Sequence, residues 1–252
     1  RTTLGDGQIK SDPARIEKAR AIIAAARKDG RLALTEIEAK QIFEVYGLPV
    51  TKTQLAKSEE EAVKLAKKVG FPVVMKIVSP DIIHKSDAGG VKVGIKTEEE
   101  AANAYQAILE NAAKYKADAN IHGVAVQEMA PWGTEVIVGS VNDPTFGPTV
   151  MFGLGGIFVE VLKDVTFRVA PVNKQQVERM LTEISGAPVL NGVRGESARD
   201  KAALVDLLYE YAIMVSDLAD EIAETDANPV LVYEAGKGLK VVDARVILKK
   251  QA

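Results

Sequence analysis

The stretch Val73-Val74-Met75-Lys76-Ile77, followed after a loop by Gly89-Gly90-Val91-Lys92-Val93, reads as two short strands joined by a glycine-closed connection. The first run is apolar except for one lysine and rich in β-branched residues, which suits a pleated, half-buried surface. Working outward, helices alternate with such strands. Three pairs spaced three residues apart, Thr35/Glu38, Ser58/Glu61 and Thr97/Glu100, read as capping boxes, in which hydroxyl and carboxylate satisfy the free donors of a helix start. Gly47 and Gly70 close the first two of these helices. Further strands are expected over 124–129, 135–141 and 149–152, the last two joined by an Asn142-Asp143-Pro144 turn. A strand at 165–170, helices at 174–184 and 200–218, and two short strands at 230–233 and 239–242 complete the pattern. Leu204, Leu207, Leu208, Tyr211, Val215 and Leu218 fall at helical spacing and predict a buried face. Asp12-Pro13 opens one more helix, to about residue 29, whose apolar face lies on a partner, on the body of the protein, or in a linker. The mixed order predicts an α+β protein of two lobes with a break near 127–131.

Composition narrows the function. At 252 residues the chain has room for two ordinary domains or one large one. An apolar share of 47% against 27% charged is that of a globular chain, neither disordered nor collagenous. A net charge of -3 supplies no basic field, so neither nucleic acid nor a membrane surface is expected as a partner. No apolar run is long enough to span a bilayer. With no cysteine and only His84 and His122, disulfides, thiolate chemistry and histidine-rich metal clusters are excluded. The chain opens at Arg1 without methionine or an apolar signal core, which implies a trimmed start or a piece of something longer, and a cytoplasmic location.

Several residues carry possible chemistry, each beside a plainer reading. Lys76 is either a solvated lysine on a strand face or a cation reaching a nucleotide phosphate. His84 lies in the loop that ends at Gly89-Gly90; it is a surface residue, or a covalent phosphoryl acceptor helped by Lys85 and the glycine amides. Glu128 and Glu135 are surface carboxylates or, for Glu128, an acceptor for a ribose or adenine amino group and, for Glu135, a cleft residue. The run Phe152-Gly153-Leu154-Gly155-Gly156-Ile157 is neither a Walker A loop nor a dinucleotide fingerprint, and reads as a tight turn. In Asp226-Ala227-Asn228-Pro229 with Asp243, an amide oxygen and a carboxylate on two short strands that could pair would suit Mg²⁺. The alternative is a turn asparagine and a surface aspartate.

Taken in order, four stretches resemble the ATP-grasp, β-type portion of the ADP-forming acyl-CoA synthetases, relatives of succinyl-CoA synthetase. They are Glu38-Ala39-Lys40-Gln41 through Tyr46-Gly47-Leu48-Pro49; Val74-Met75-Lys76 through Gly89-Gly90-Val91-Lys92-Val93; Gln127-Glu128-Met129; and Asn228-Pro229-Val230 with Val242-Asp243-Ala244. The resemblance spans roughly 34–249. It implies an α+β ATP-grasp fold, two lobes with the nucleotide cleft between them: an N-terminal extension or linker at 1–33, then the ATP-grasp domain at 34–252, with the smaller lobe roughly at 50–127. It further implies that Lys76 meets the nucleotide phosphates, that Glu128 and Met129 belong to the segment holding adenine and ribose, and that Glu135 is a further cleft carboxylate. Asn228 and Asp243 correspond to Mg²⁺ ligands and His84 to the loop histidine that relays a phosphoryl group in the acetate-CoA ligase branch. Asp226, where the family often has Glu, corresponds to the acid that orients a phosphohistidine. ATP or ADP and Mg²⁺ are the implied cofactors. A CoA-binding α subunit or domain is the implied partner, in a hetero-oligomer. Two other readings stay open at this point: a synthetase-like ligand-sensing domain of a protein acetyltransferase, and another ATP-grasp ligase that needs no relay histidine.

Overall fold

In the computed structural model, which describes residues 11–82, 85–156, 159, 161–193 and 195–250, the chain divides into two units. One is Thr51–Ala130; the other joins Arg1–Val50 to Pro131–Ala252. The discontinuous unit opens with helix α1 (Pro13–Lys28), started by Asp12, whose side chain accepts the Ala14 N–H, and by proline at the first helical position. Its Ala19, Ile23 and Ala26 are buried in the core of the same unit, so this helix lies on the body of the protein. Arg27 fastens its end by donating to the Lys249 carbonyl and the Glu221 carboxylate, both at 2.9 Å. Helix α2 (Glu36–Val45) carries both bonds of the Thr35/Glu38 capping box.

The inserted unit runs β1 (Thr53–Ala56), α3 (Glu59–Val69), β2 (Val73–Val78), β3 (Val91–Ile95), α4 (Glu98–Tyr115) and β4 (Gly123–Glu128). Its strands form an antiparallel sheet in the order β1-β4-β2-β3. Alternation puts Val73, Met75, Ile77, Val124 and Val126 on the face that receives Ala62 and Ala66 of α3 and Tyr105 and Ile108 of α4. Ser58 and Thr97 accept the N–H of Glu61 and Glu100, as capping boxes require. The returning carboxylates instead take the N–H groups of Lys57 and Lys96, one residue before each cap. Strand β1 was not expected: Thr53-Gln54-Leu55-Ala56 is too short and mixed to announce itself.

The rest of the discontinuous unit is β5 (Thr134–Asp143), β6 (Gly147–Leu154), β7 (Val165–Val169), α5 (Lys174–Glu183), a 3-10 turn (Ala187–Asn191), α6 (Lys201–Asp217), β8 (Ile222–Val232), β9 (Leu239–Val241) and β10 (Ala244–Leu248). The strand order is β10-β8-β5-β6-β7, with β9 also on β8. Val136, Val138, Val150 and Phe152 share a core with Leu204, Leu208 and Tyr211 of α6. The Tyr211 hydroxyl, fully buried, donates to the Thr225 carbonyl at 2.8 Å. The expected pair of short strands becomes three: β8 begins eight residues earlier than the pattern suggested, and β10 follows Asp243. The reason lies in the second face of this sheet, which turns away from the helices. There Glu224 and Asp226 alternate with buried Thr225 and Ala227, so the strand carries charge where an apolar signal was sought. No helix among the described residues is long and apolar enough to cross a membrane.

Candidate functional site

Strand β8 changes partner midway. Its residues up to Ala227 pair with β10, and those from Val230 pair with β9. Between them, residues 242–243 cross from β9 to β10 opposite 228–229: the Val242 N–H donates to the Pro229 carbonyl at 3.0 Å and the Asn228 N–H to the Asp243 carbonyl at 3.2 Å. The changeover sets Asn228 beside Asp243. The Asp243 carboxylate is fixed through Oδ1, which accepts the Ala244 N–H at 2.8 Å. An amide and a carboxylate are hard oxygen donors and fit Mg²⁺, which takes few protein oxygens and fills its octahedron with phosphate and water. Among the described residues no three His, Asp or Glu side chains cluster to hold a metal unaided.

From Asn228 a groove of about 420 Å³ runs along the helix-free face of the sheet. Register aligns Phe167, Met151, Gly139, Asp226 and Arg245 in one row across five strands. The Arg245 Nε–H donates to Asp226 Oδ2 at 2.6 Å, and its Nη2 donates to Glu224. Partial burial works against the charge of Arg245, but the carboxylates of Asp226 and Glu224 outweigh it and raise the guanidinium pKa. Met151, Phe167 and Ile137 supply the apolar wall. Gly139 keeps the floor open: a Cβ there would lie 3.3 Å from the Met151 methyl and 3.8 Å from the Asp226 Cβ.

The other expected site residues are distributed as follows. Lys76 lies on the helix-free face of the inserted sheet, paired with Ala125, and is only 8% exposed, so the solvated reading fails. Glu128 pairs with Val73 at the far end of the same ladder and is half-buried; the ladder does not bring it onto one face with Lys76. Met129 follows it, exposed, its N–H donating to the Pro72 carbonyl at 3.3 Å. Glu135 is exposed on β5, on the face it shares with Ile137 and Gly139, and its carbonyl accepts the Gly155 N–H at 2.8 Å. His84 lies outside the described residues.

The paired glycines of that loop act differently from the expectation. The Gly89 N–H donates to the Ser86 carbonyl and the Gly90 N–H to the Lys85 carbonyl, so these two amides are used in the turn and not offered to an anion. Gly90 is required by close packing, since a Cβ would come 2.5 Å from the Ile77 methyl. The glycines at 155–156 form a turn after β6, as read from the sequence. Sequence reasoning missed Glu224, Arg245 and Gly139. Glu224 carries a legible signal, a charge two residues from Asp226 on the same face, once β8 is known to be a strand.

The ATP-grasp domain family matches residues 25–248. The acetate–CoA ligase [ADP-forming] I subunit beta of Pyrococcus furiosus is 52% identical over 93% of this chain and 99% of its own length. The 4-hydroxybutyrate–CoA ligase [ADP-forming] of Nitrosopumilus maritimus is 47% identical over 94% of the chain, which spans 35% of that longer protein. Among solved structures, the dinucleotide forming acetyl-coenzyme A synthetase 1 of Ca. Korarchaeum cryptofilum superposes with a TM-score of 0.87 at 51% identity, covering 92% of this chain and 100% of that one. A second structure of it, with coenzyme A and Mg-AMPPCP and its phosphohistidine segment pointing towards the nucleotide binding site, gives 0.81 at 47% identity, with the same coverage.

Proposed function

This chain belongs to the ATP-grasp domain family and, within it, to the β subunits of ADP-forming acetate–CoA ligases, and from that premise we propose that it is the nucleotide-binding part of an ADP-forming acyl-CoA synthetase. The reaction is acyl-CoA + ADP + phosphate ⇌ carboxylic acid + CoA + ATP, through an acyl phosphate and a phosphohistidine. A CoA-binding α subunit or domain of the same synthetase supplies the acyl chemistry in a cytoplasmic hetero-oligomer, with neither nucleic acid nor membrane as partner. In domain terms, 34–252 is the ATP-grasp domain with a smaller lobe at roughly 50–127, and 1–33 is an N-terminal extension or linker with one helix.

The observation that most supports this reading is the changeover on β8, which brings Asn228 and Asp243 together. Those two residues would hold Mg²⁺, and the bound ion supplies positive charge to the phosphate oxygens. Lys76 is assigned to the nucleotide phosphates, Glu128 and Met129 to the adenine and ribose, and Glu135 as a further carboxylate for the nucleotide. His84 takes the phosphoryl group: a neutral imidazole nitrogen forms the N–P bond as the P–O bond to ADP breaks. An ordinary histidine pKa near ~6.5 leaves that form available at pH 7. Asp226 accepts the N–H of a phosphohistidine and keeps its ring oriented. Positioning and charge neutralisation are what phosphoryl transfer asks of the protein.

The test uses Mg-ATP labelled on the γ-phosphate. Acid-labile, base-stable label is expected on the wild-type chain and not on His84→Ala, with Mg-ADP affinity retained in both. Nucleotide binding with no label, alone and with the α partner, would remove the relay from the mechanism.

A further inference from the structure

We infer that Arg245 is a positioning residue for phosphoryl transfer: its guanidinium fixes the Asp226 carboxylate through one oxygen and leaves the other to hold an imidazole N–H. The inference rests on the assignment of Asp226 as the residue that orients a phosphohistidine. Three observations support it. Antiparallel register puts Arg245 directly opposite Asp226, and Nε–H meets Oδ2 at 2.6 Å, while Nη2 holds Glu224 two residues along the same face. Two anchors set the plane of the guanidinium, and that plane in turn sets the carboxylate, in a way a single ammonium cannot reproduce. Among the described residues Arg245 is the only group bonded to the Asp226 side chain, so Oδ1 is left to the groove. Among the described residues Arg245 is also the only lysine or arginine in the groove wall. Without it, Glu224 and Asp226 would present two uncompensated negative charges to an incoming phosphoryl group.

The experiment follows single-turnover labelling of the full chain from γ-labelled Mg-ATP, with Mg-ADP affinity measured on each variant by calorimetry. Asp226→Asn and Arg245→Ala are each expected to slow labelling by about 100-fold, the scale of a misplaced catalytic group, with Mg-ADP affinity kept within about threefold. Arg245→Lys should stay at least about tenfold slow, because its charge is kept and its fork is lost. The double variant should be no slower than Asp226→Asn alone, which a merely structural role would not produce. Wild-type labelling by Arg245→Ala beside a slow Asp226→Asn would overturn the inference alone, as would additive losses in the double variant. Wild-type labelling by Asp226→Asn would overturn both the inference and the assignment beneath it. A loss in Arg245→Ala matched by an equal loss of Mg-ADP affinity would also overturn it.

Discussion

Asp243 and Asn228 owe their proximity to backbone bonds that involve neither side chain, so either side chain can be changed without dismantling the strand changeover. Asp243→Asn keeps size and shape while removing the negative charge a divalent cation needs. Its affinity for Mg-ADP is therefore expected to fall by at least about tenfold, or ~1.4 kcal/mol, in calorimetry, with nucleotide-free melting little changed. An unchanged affinity would exclude Asp243 as a ligand. Lys76 is a contrasting case, a cation kept almost wholly out of water in an apolar strand. Desolvating an ammonium is costly, which favours a functional reason for its presence. At this scale Asn228, Asp243 and Lys76 could be singled out in the sequence by residue type, and their assigned roles come from the family resemblance. Arg245 could not. Its meaning depends on standing opposite Asp226, and that requires knowing that both lie in paired strands.

Elements show the same limit. Helix starts were readable because Thr35, Ser58 and Thr97 announce them locally, whereas β8 was cut short because its front half alternates charge with small buried residues. The groove on that strand makes a prediction about Gly139. A strand glycine costs roughly 0.5–1 kcal/mol relative to alanine, and the flexible Met151 methyl can give way to a new Cβ. Gly139→Ala should therefore hold or raise stability in urea while slowing labelling from Mg-ATP, because it fills the groove floor. Equal labelling rates would mean the floor is not used. Asp200 makes a different prediction. Its Oδ1 accepts the Ala203 N–H at 3.1 Å to cap α6, and its Oδ2 accepts the Gly238 N–H at 2.8 Å from the β8–β9 connection. The bond from Ala203, then those from Gly238 and Gly236, outweigh burial and lower its pKa. A carboxyl depressed in the folded state contributes stability above its unfolded pKa of ~3.9 and loses it as pH falls further. Asp200→Ala should cost about 1–2 kcal/mol at pH 7, with a shallower loss of stability below pH 4 than the wild type shows.

At the scale of the whole molecule, composition and the order of helices and strands were enough for an α+β reading, but not for the pairing of distant segments. Nothing local tells Ala33 that it will bridge to Ile247, or Leu34 that its N–H will meet the Val246 carbonyl at 3.0 Å. Ligand linkage also belongs to this scale. Mg-ADP at a hundred times its Kd should add about 2.7 kcal/mol to the stability of the part that binds it. For a chain of this size that corresponds to a rise of about 5–10 °C in the melting midpoint, absent in Asp243→Asn at the same nucleotide concentration. No rise in the wild type would contradict nucleotide binding by the isolated chain. The interrupted unit also sets an order of events at the ribosome. Residues 51–130 contain a whole sheet and its two helices, and can close as soon as they emerge. α1 and α2, synthesised earlier, have to wait for β10, whose last residue is Leu248. At ~5–20 residues per second that wait lasts on the order of ten seconds. Throughout it the apolar faces of Ile23, Ile42 and Phe43 lack most of their eventual neighbours, and α1 with α2 is the segment a chaperone would hold longest.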